Sequence, residues 1–225
     1  MSSELPVYLD CAATTPIEPE VLEVVVRYMR DSYGNAGSRT HVYGVQAKQA
    51  VERAREEVAA LFGAYPEEVV FTSGATESNN LAILGLRAEA ERTGKKHIVS
   101  TAIEHKSILE PLEHLAQSGF QITLISPDSS GRVEVDKILG AIGHDTLAVS
   151  IMAVNNETGV MQPIAEISNA LTDSSVYLHV DASQAVGKST DISFPSRIDF
   201  ISMSGHKIFA PKGVGGLIVR RRPQT

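Results

Sequence analysis

Val69-Val70-Phe71-Thr72-Ser73-Gly74-Ala75-Thr76-Glu77-Ser78-Asn79-Asn80 runs from a β-branched and aromatic stretch, through a glycine turn, into a helical pattern. Val69–Phe71 reads as a strand and Glu77–Thr93 as the helix that follows it. Gly74 permits a tight turn between them, and Thr76 is placed to cap the helix. Free backbone N–H groups at such a helix start favour a phosphate, although an ordinary strand–turn–helix with a Ser/Thr cap has the same pattern.

The alternation continues outward from this unit. Short β-rich runs occur at His97–Thr101, Ile122–Ile125, Leu147–Ile151, Val176–Val180, Phe200–Met203 and Gly216–Val219. Helical stretches separate most of them, near Ser107–Ser118, Val135–Ile142 and Pro163–Thr172. Upstream, Pro19–Arg30 reads as a short helix with Val21, Leu22, Val25 and Met29 on one side. Gly44–Phe62 reads as an amphipathic helix with Ala47, Ala50, Val51, Ala54, Val58, Leu61 and Phe62 inward. Its Glu52, Arg53, Arg55 and Glu56 fall mainly on the wet side. The expected fold class is α/β, a mainly parallel mixed sheet with helices on both faces. No long helix separates the last strands, so part of the sheet is expected to be antiparallel. Ligands of such sheets bind at the carboxyl ends of the strands.

Composition narrows the function classes. The chain has 225 residues and a net charge of −7, with 43% hydrophobic and 21% charged residues. An acidic chain without a basic stripe is a poor candidate for nucleic acid. No apolar run reaches spanning length, and Met1–Pro6 lacks the features of a signal peptide, so no membrane association is expected. The single cysteine, Cys11, permits no internal disulfide, which fits a cytoplasmic location.

Four further polar stretches each follow a strand. His179-Val180-Asp181-Ala182-Ser183-Gln184 ends an apolar strand in a carboxylate, which needs a cation or several donors. A protonated pyridine nitrogen is such a cation, and a helix cap is the plainer alternative. In Ser202-Met203-Ser204-Gly205-His206-Lys207-Ile208-Phe209-Ala210-Pro211-Lys212-Gly213, Lys207 stands among small and apolar residues. Such a lysine loses its proton more easily than an exposed one, as Schiff-base chemistry requires, with Ser204 and His206 beside it to hold a phosphate. An ordinary surface lysine on a Gly/Pro loop is the alternative. His105, in Ile103-Glu104-His105-Lys106, presents a flat imidazole for stacking or serves the fold. Asn155-Asn156-Glu157-Thr158-Gly159 offers amides to a ligand hydroxyl or shapes a turn. Together, a phosphate cradle, a buried acid and a pocket lysine match the needs of pyridoxal phosphate.

The motifs Tyr8–Pro16, Thr72–Asn80, Glu104–Lys106, Asn155–Gly159, His179–Gln184 and Ser204–Gly213, in that order, resemble the cysteine desulfurases of the nitrogen-fixation and iron–sulfur-assembly type, within the class V aminotransferases. The resemblance covers essentially the whole chain. It implies a fold-type I large domain over residues 1–225 that binds pyridoxal 5'-phosphate and holds no metal. By resemblance, Ala75, Thr76, Ser204 and His206 would bind the phosphate. His105 would stack on the ring and move protons, and Asp181 would pair with the ring nitrogen. Asn156 and Gln184 would meet the ring hydroxyl or the substrate, and Lys207 would form the Schiff base with the cofactor. The implied reaction converts L-cysteine to L-alanine and passes sulfur as a persulfide to an acceptor such as an iron–sulfur scaffold.

The resemblance also implies a homodimer. Family chains continue past Arg220-Arg221-Arg222 into a small domain with a substrate-binding arginine and a mobile loop carrying the sulfur-accepting cysteine. Without that part, the expectation is little desulfurase activity unless a complementing C-terminal half is supplied. Cys11, where relatives often have Asn or Tyr, is expected to be a small buried residue. The rival readings are a selenocysteine lyase or aminotransferase of the same fold, and a truncated or split homologue that binds the cofactor but is inactive alone.

Overall fold

The computed structural model of the chain describes residues 6–189 and 192–222. In chain order the elements are α1 (Pro19–Arg30), α2 (Val42–Phe62), β1 (Val69–Thr72), α3 (Ala75–Thr93), β2 (His97–Thr101), α4 (Lys106–Gln117), β3 (Gln121–Ile125), α5 (Val135–Gly140), β4 (Thr146–Met152), α6 (Ile164–Ala170), β5 (Tyr177–Asp181), β6 (Phe200–Ser204) and β7 (Gly215–Val219). Each strand and helix read from the sequence is present, with ends moved by one or two residues in most cases.

The strands form one sheet in the order β1-β7-β6-β5-β4-β2-β3. Neighbours from β6 through β3 are parallel. β7 runs antiparallel to both β1 and β6, as the missing crossover helix implied. Six strands therefore point one way and share a carboxyl edge, and β7 starts from that edge.

Alternation along the strands feeds two apolar layers. On β2, Ile98 packs with Ile83, Leu86, Ile108, Leu112 and Leu115 of α3 and α4. The next residue, Val99, packs in the opposite layer with Ala59 and Phe62 of α2, Ile138 of α5 and Ile167 of α6. Helices thus cover both faces, and β2 and β4 are buried along their whole length. Buried polar groups inside the sheet are paired. Ser100 Oγ donates to the Ser150 carbonyl (2.9 Å), and the His179 ring lies between Ser150 Oγ (2.9 Å) and Ser202 Oγ (3.0 Å).

The N-terminal helices depart from the periodicity reading. On α2 the buried residues are Gly44, Ala47, Ala59 and Phe62, whereas Val51 and Leu61 are exposed. Arg55 is not simply on the wet side. Its guanidinium donates to the Val69 carbonyl and lies 4.9 Å from the centre of the Phe71 ring. On α1 no residue is buried, and Leu22 and Met29 are exposed.

Candidate functional site

The carboxyl ends of β1, β2, β4, β5 and β6 open on one cavity of about 600 Å³. Ala75, Thr76 and His105 line it, as do Asn156, Asp181 and Gln184. Ser204, His206 and Lys207 complete its wall, so every site residue expected from the sequence faces the same space.

The β1–α3 turn forms one end. Gly74 has φ 154°, and a Cβ built on Gly215 would stand 2.5 Å from the Gly74 Cα. A side chain at 215 would therefore push β7 away from the turn. The first amides of α3 precede any acceptor within the helix, so they and the helix dipole favour an anion. Thr76 does not cap α3, contrary to the sequence reading. The N-cap is Gly74, with no side-chain cap, because the helix begins one residue before Thr76. Glu77 instead folds back on Ser73, accepting from its backbone N–H (2.6 Å) and its hydroxyl (2.7 Å). These two bonds, the backbone one foremost, hold the Glu77 carboxyl below its usual range.

Asp181 ends β5 and is buried. Its Oδ1 accepts from the Ser183 backbone N–H (2.9 Å) and hydroxyl (2.5 Å), while Oδ2 accepts from Asn79 Nδ2 (2.8 Å). It thus shapes the following turn and also faces the cavity, whereas the helix-cap reading is not met, because no helix lies between β5 and β6 among the described residues. His105 is the N-cap of α4. Its Nδ1 accepts from the Ser107 backbone N–H (3.1 Å) and is 2.8 Å from Ser107 Oγ. With Nδ1 an acceptor, a neutral ring carries its hydrogen on Nε2. Just before it, Glu104 is buried, with Oε1 accepting from Thr101 Oγ1 (2.6 Å) and the Met152 N–H (2.9 Å). Burial pushes its carboxyl up to about 8.

Lys207 lies in a single 3-10 turn, Gly205–Lys207, directly after β6. Its amine donates to the carbonyls of Ala12 (2.5 Å) and Ala13 (2.8 Å). Burial, then the nearby Lys188 charge, lower its pKa from the ordinary lysine value, against the pull of Asp10 and Asp181. The amine is therefore more readily neutral, as the sequence reading required. His206 is also lowered, first by burial and then by Lys207, Lys212 and Lys188. Its Nδ1 is 3.1 Å from Thr14 Oγ1.

Two expected ligand residues make other contacts. Gln184 donates from Nε2 to the Ala12 carbonyl (2.8 Å) and accepts at Oε1 from Lys188 Nζ (2.5 Å). Asn156 donates to Glu157 Oε1 (2.7 Å). Cys11 is exposed, not buried as expected, because the Asp10–Ala13 segment crosses the cavity mouth instead of entering the core.

Asn79, Ser107, Lys188 and the Ala12 and Ala13 carbonyls were missed by the sequence reading. Asn79 had a usable signal. It stands one helical turn after Ala75 and Thr76, on a mainly apolar inward face with Ile83 and Leu86. Ser107 and Lys188 follow His105 and Gln184 closely but carry no signal of their own, and the Ala12 and Ala13 carbonyls reach the site from a distant segment.

Residues 7–225 match the family model described as aminotransferase class-V. The human cysteine desulfurase is 49% identical over 220 residues, which cover 98% of this chain and 48% of that protein. The crystal structure of DndA from Streptomyces lividans superposes with a TM-score of 0.86 at 54% identity, covering 96% of this chain and 60% of that one. A structure titled SspA in complex with cysteine superposes at 0.88 with 40% identity, covering 94% of this chain and 60% of that one. The chain spans about half the length of the curated relatives it matches.

Proposed function

The chain belongs to the class-V aminotransferase family, and from that premise we propose that it is the cofactor-binding part of a pyridoxal-phosphate-dependent cysteine desulfurase. One observation carries this reading. A single cavity gathers a helix N-terminus, a buried carboxylate and a lysine whose pKa is lowered by burial. These groups fit pyridoxal phosphate end to end. Asp181 has a buried oxygen pair held by neutral donors, and it still wants a cation from the cavity side.

Bound there, the cofactor would supply an electron sink for bonds at the substrate α-carbon. The start of α3, with Thr76, Ser204 and His206, would hold its phosphate. Asp181 would keep the ring nitrogen protonated, and His105 would lie against the ring face. With Nδ1 engaged by Ser107, His105 Nε2 would be the atom to exchange a proton with substrate. Lys207 would hold the cofactor through its amine. Asn156 and Gln184 would meet the ring hydroxyl or the substrate side.

The proposed substrate is L-cysteine, supported by a relative whose structure is titled a cysteine complex. The proposed sulfur acceptor is a protein such as an iron–sulfur scaffold. A homodimer or a complementing C-terminal half is proposed as the working assembly, supported by the exposed apolar residues of the N-terminal segment. The cytoplasm is the proposed compartment. No helix among the described residues is long and apolar enough to cross a membrane.

The test is reconstitution with pyridoxal phosphate, borohydride reduction and peptide mass mapping. The expected result is a visible absorption band and a reduced adduct on Lys207, both lost in Lys207→Ala. An adduct on another lysine, or an unchanged band in Lys207→Ala, would falsify the assignment. Sulfide and alanine release from cysteine, with and without a C-terminal half from a relative, tests the reaction.

A further inference from the structure

Asn79 is fully buried on the second turn of α3, between two of the proposed site groups. Its Nδ2 donates to Asp181 Oδ2 (2.8 Å) and to Ser107 Oγ (2.8 Å). Ser107 Oγ in turn stands 2.8 Å from His105 Nδ1, which already accepts the Ser107 backbone N–H. Because Nδ1 accepts the Ser107 N–H, it carries no hydrogen, so the Ser107 hydroxyl donates to it while Oγ accepts from Asn79. The amide cannot be turned round, since its oxygen would then face the Asp181 carboxylate.

This arrangement leaves Asn79 Oδ1 buried without a hydrogen-bond partner among the described residues. A buried orphan acceptor destabilises a fold, and an apolar residue of similar volume avoids it. Asparagine at this position is therefore not explained by folding alone, whereas both hydrogens of its amide are used.

We propose that Asn79 is a positioning residue that ties Asp181 to His105 through Ser107, so that the groups meant for the ring nitrogen and the ring face are set by one side chain. Asp181 Oδ2 is aimed by the first hydrogen of the amide. The His105 ring orientation and its Nε2–H tautomer are reinforced by the second. The role rests on the cofactor reading proposed above, whereas the geometry of the bridge does not.

The test compares Asn79→Leu and Ser107→Ala with the unaltered full chain. The readouts in the absence of cofactor are the His105 ring 15N signals and the Asp181 carboxyl 13C signal. Titration with pyridoxal phosphate adds a dissociation constant. Asn79→Leu is expected to shift both sets of signals and to raise that constant about tenfold, the size of one or two lost hydrogen bonds. Ser107→Ala is expected to shift the His105 signals and leave the Asp181 signal in place. The bridge is refuted if Asn79→Leu leaves the His105 signals where they were, or if Ser107→Ala does. If Asn79→Leu does not fold, Asn79→Ser replaces it. A shorter side chain with one donor cannot span both partners, so unchanged signals there also refute the bridge. An unaltered chain that fails to bind pyridoxal phosphate overturns the cofactor reading, while the spectra still judge the bridge.

Discussion

The N-terminal segment of residues 6–45 and the central strands β2, β4 and β5 are held by different forces. Val149, Ile151 and Leu178 are wholly buried, with helices above and below. In the N-terminal segment, Leu9 is 87% exposed and Met29 78%, and Leu22, Val24, Tyr33, Val42, Tyr43 and Val45 are also exposed. Its attachment to the site is polar. Thr15 N and Oγ1 donate to the His206 carbonyl, Phe209 N donates to Thr15 Oγ1, and Glu18 N donates to the Phe209 carbonyl. These bonds also hold Phe209 at φ 62°, a conformation unfavourable for a non-glycine residue. Hydrophobic burial fixes the scaffold, and hydrogen bonds lay the mouth of the cavity over it.

The largest expected effect separates the two regions directly. Leu178→Ala should destabilise the chain by about 2–5 kcal/mol in urea unfolding, because it empties space in a layer that cannot close over it. A loss below about 1 kcal/mol would mean the sheet core is loosely packed.

The pH dependence of stability is the next test, and both groups responsible lie in or beside the central strands. Burial pushes His179 down to about 4 from 6.5, while Asp181 opposes the shift. A lowered histidine means that the unfolded chain takes the proton first. Its stabilising share is therefore complete above pH 6.5 and is lost as pH falls toward 4. Glu104, raised to about 8 from 4.5, has the opposite sign. Its share is complete below pH 4.5 and is lost as pH rises through 8. Unfolding free energies measured from pH 4 to 9 should show a flatter alkaline limb in Glu104→Gln and a flatter acid limb in His179→Gln. An alkaline limb in Glu104→Gln parallel to that of the unaltered chain would rule out a neutral Glu104.

Thr15→Val tests the polar attachment. It keeps the side-chain shape but removes the acceptor of Phe209 N–H and a donor to His206, at a cost of about 1–3 kcal/mol. Proteolysis within residues 6–18 should speed up while the urea midpoint moves less than in Leu178→Ala. Met29→Ser should change stability least, by less than about 0.5 kcal/mol, because the side chain is already in water. If Met29→Ser were as damaging as Leu178→Ala, α1 would have a packing partner in solution, and the contrast between the regions would belong to the isolated chain alone.

Most of the scaffold was legible because its signals are local. Short β-rich runs marked the seven strands, and the absent crossover helix implied an antiparallel part near the last strands, which the pairing shows to be β7. The candidate site was legible where a polar residue interrupts the end of an apolar strand, as Asp181 does, or stands in a loop of small and apolar residues just after one, as Lys207 does. The α1 and α2 readings failed in part because periodicity identifies an apolar face and does not supply something to cover it. Cys11 was misjudged for a similar reason, since its exposure follows from the path of Asp10–Ala13 across the cavity mouth.

By itself, the sequence determined which segments become strands and helices, and which side chains stand at the carboxyl ends of the strands. Backbone propensity and hydrophobic alternation act over a few residues, so they can be read along the chain. Only the tertiary structure decided that Asn79 reaches Asp181 across 102 positions, and that the Lys207 amine meets the Ala12 carbonyl across 195. Those contacts depend on sheet order and on helix placement over it. Hydrogen bonds only about 3 Å long are set by packing that no local pattern encodes.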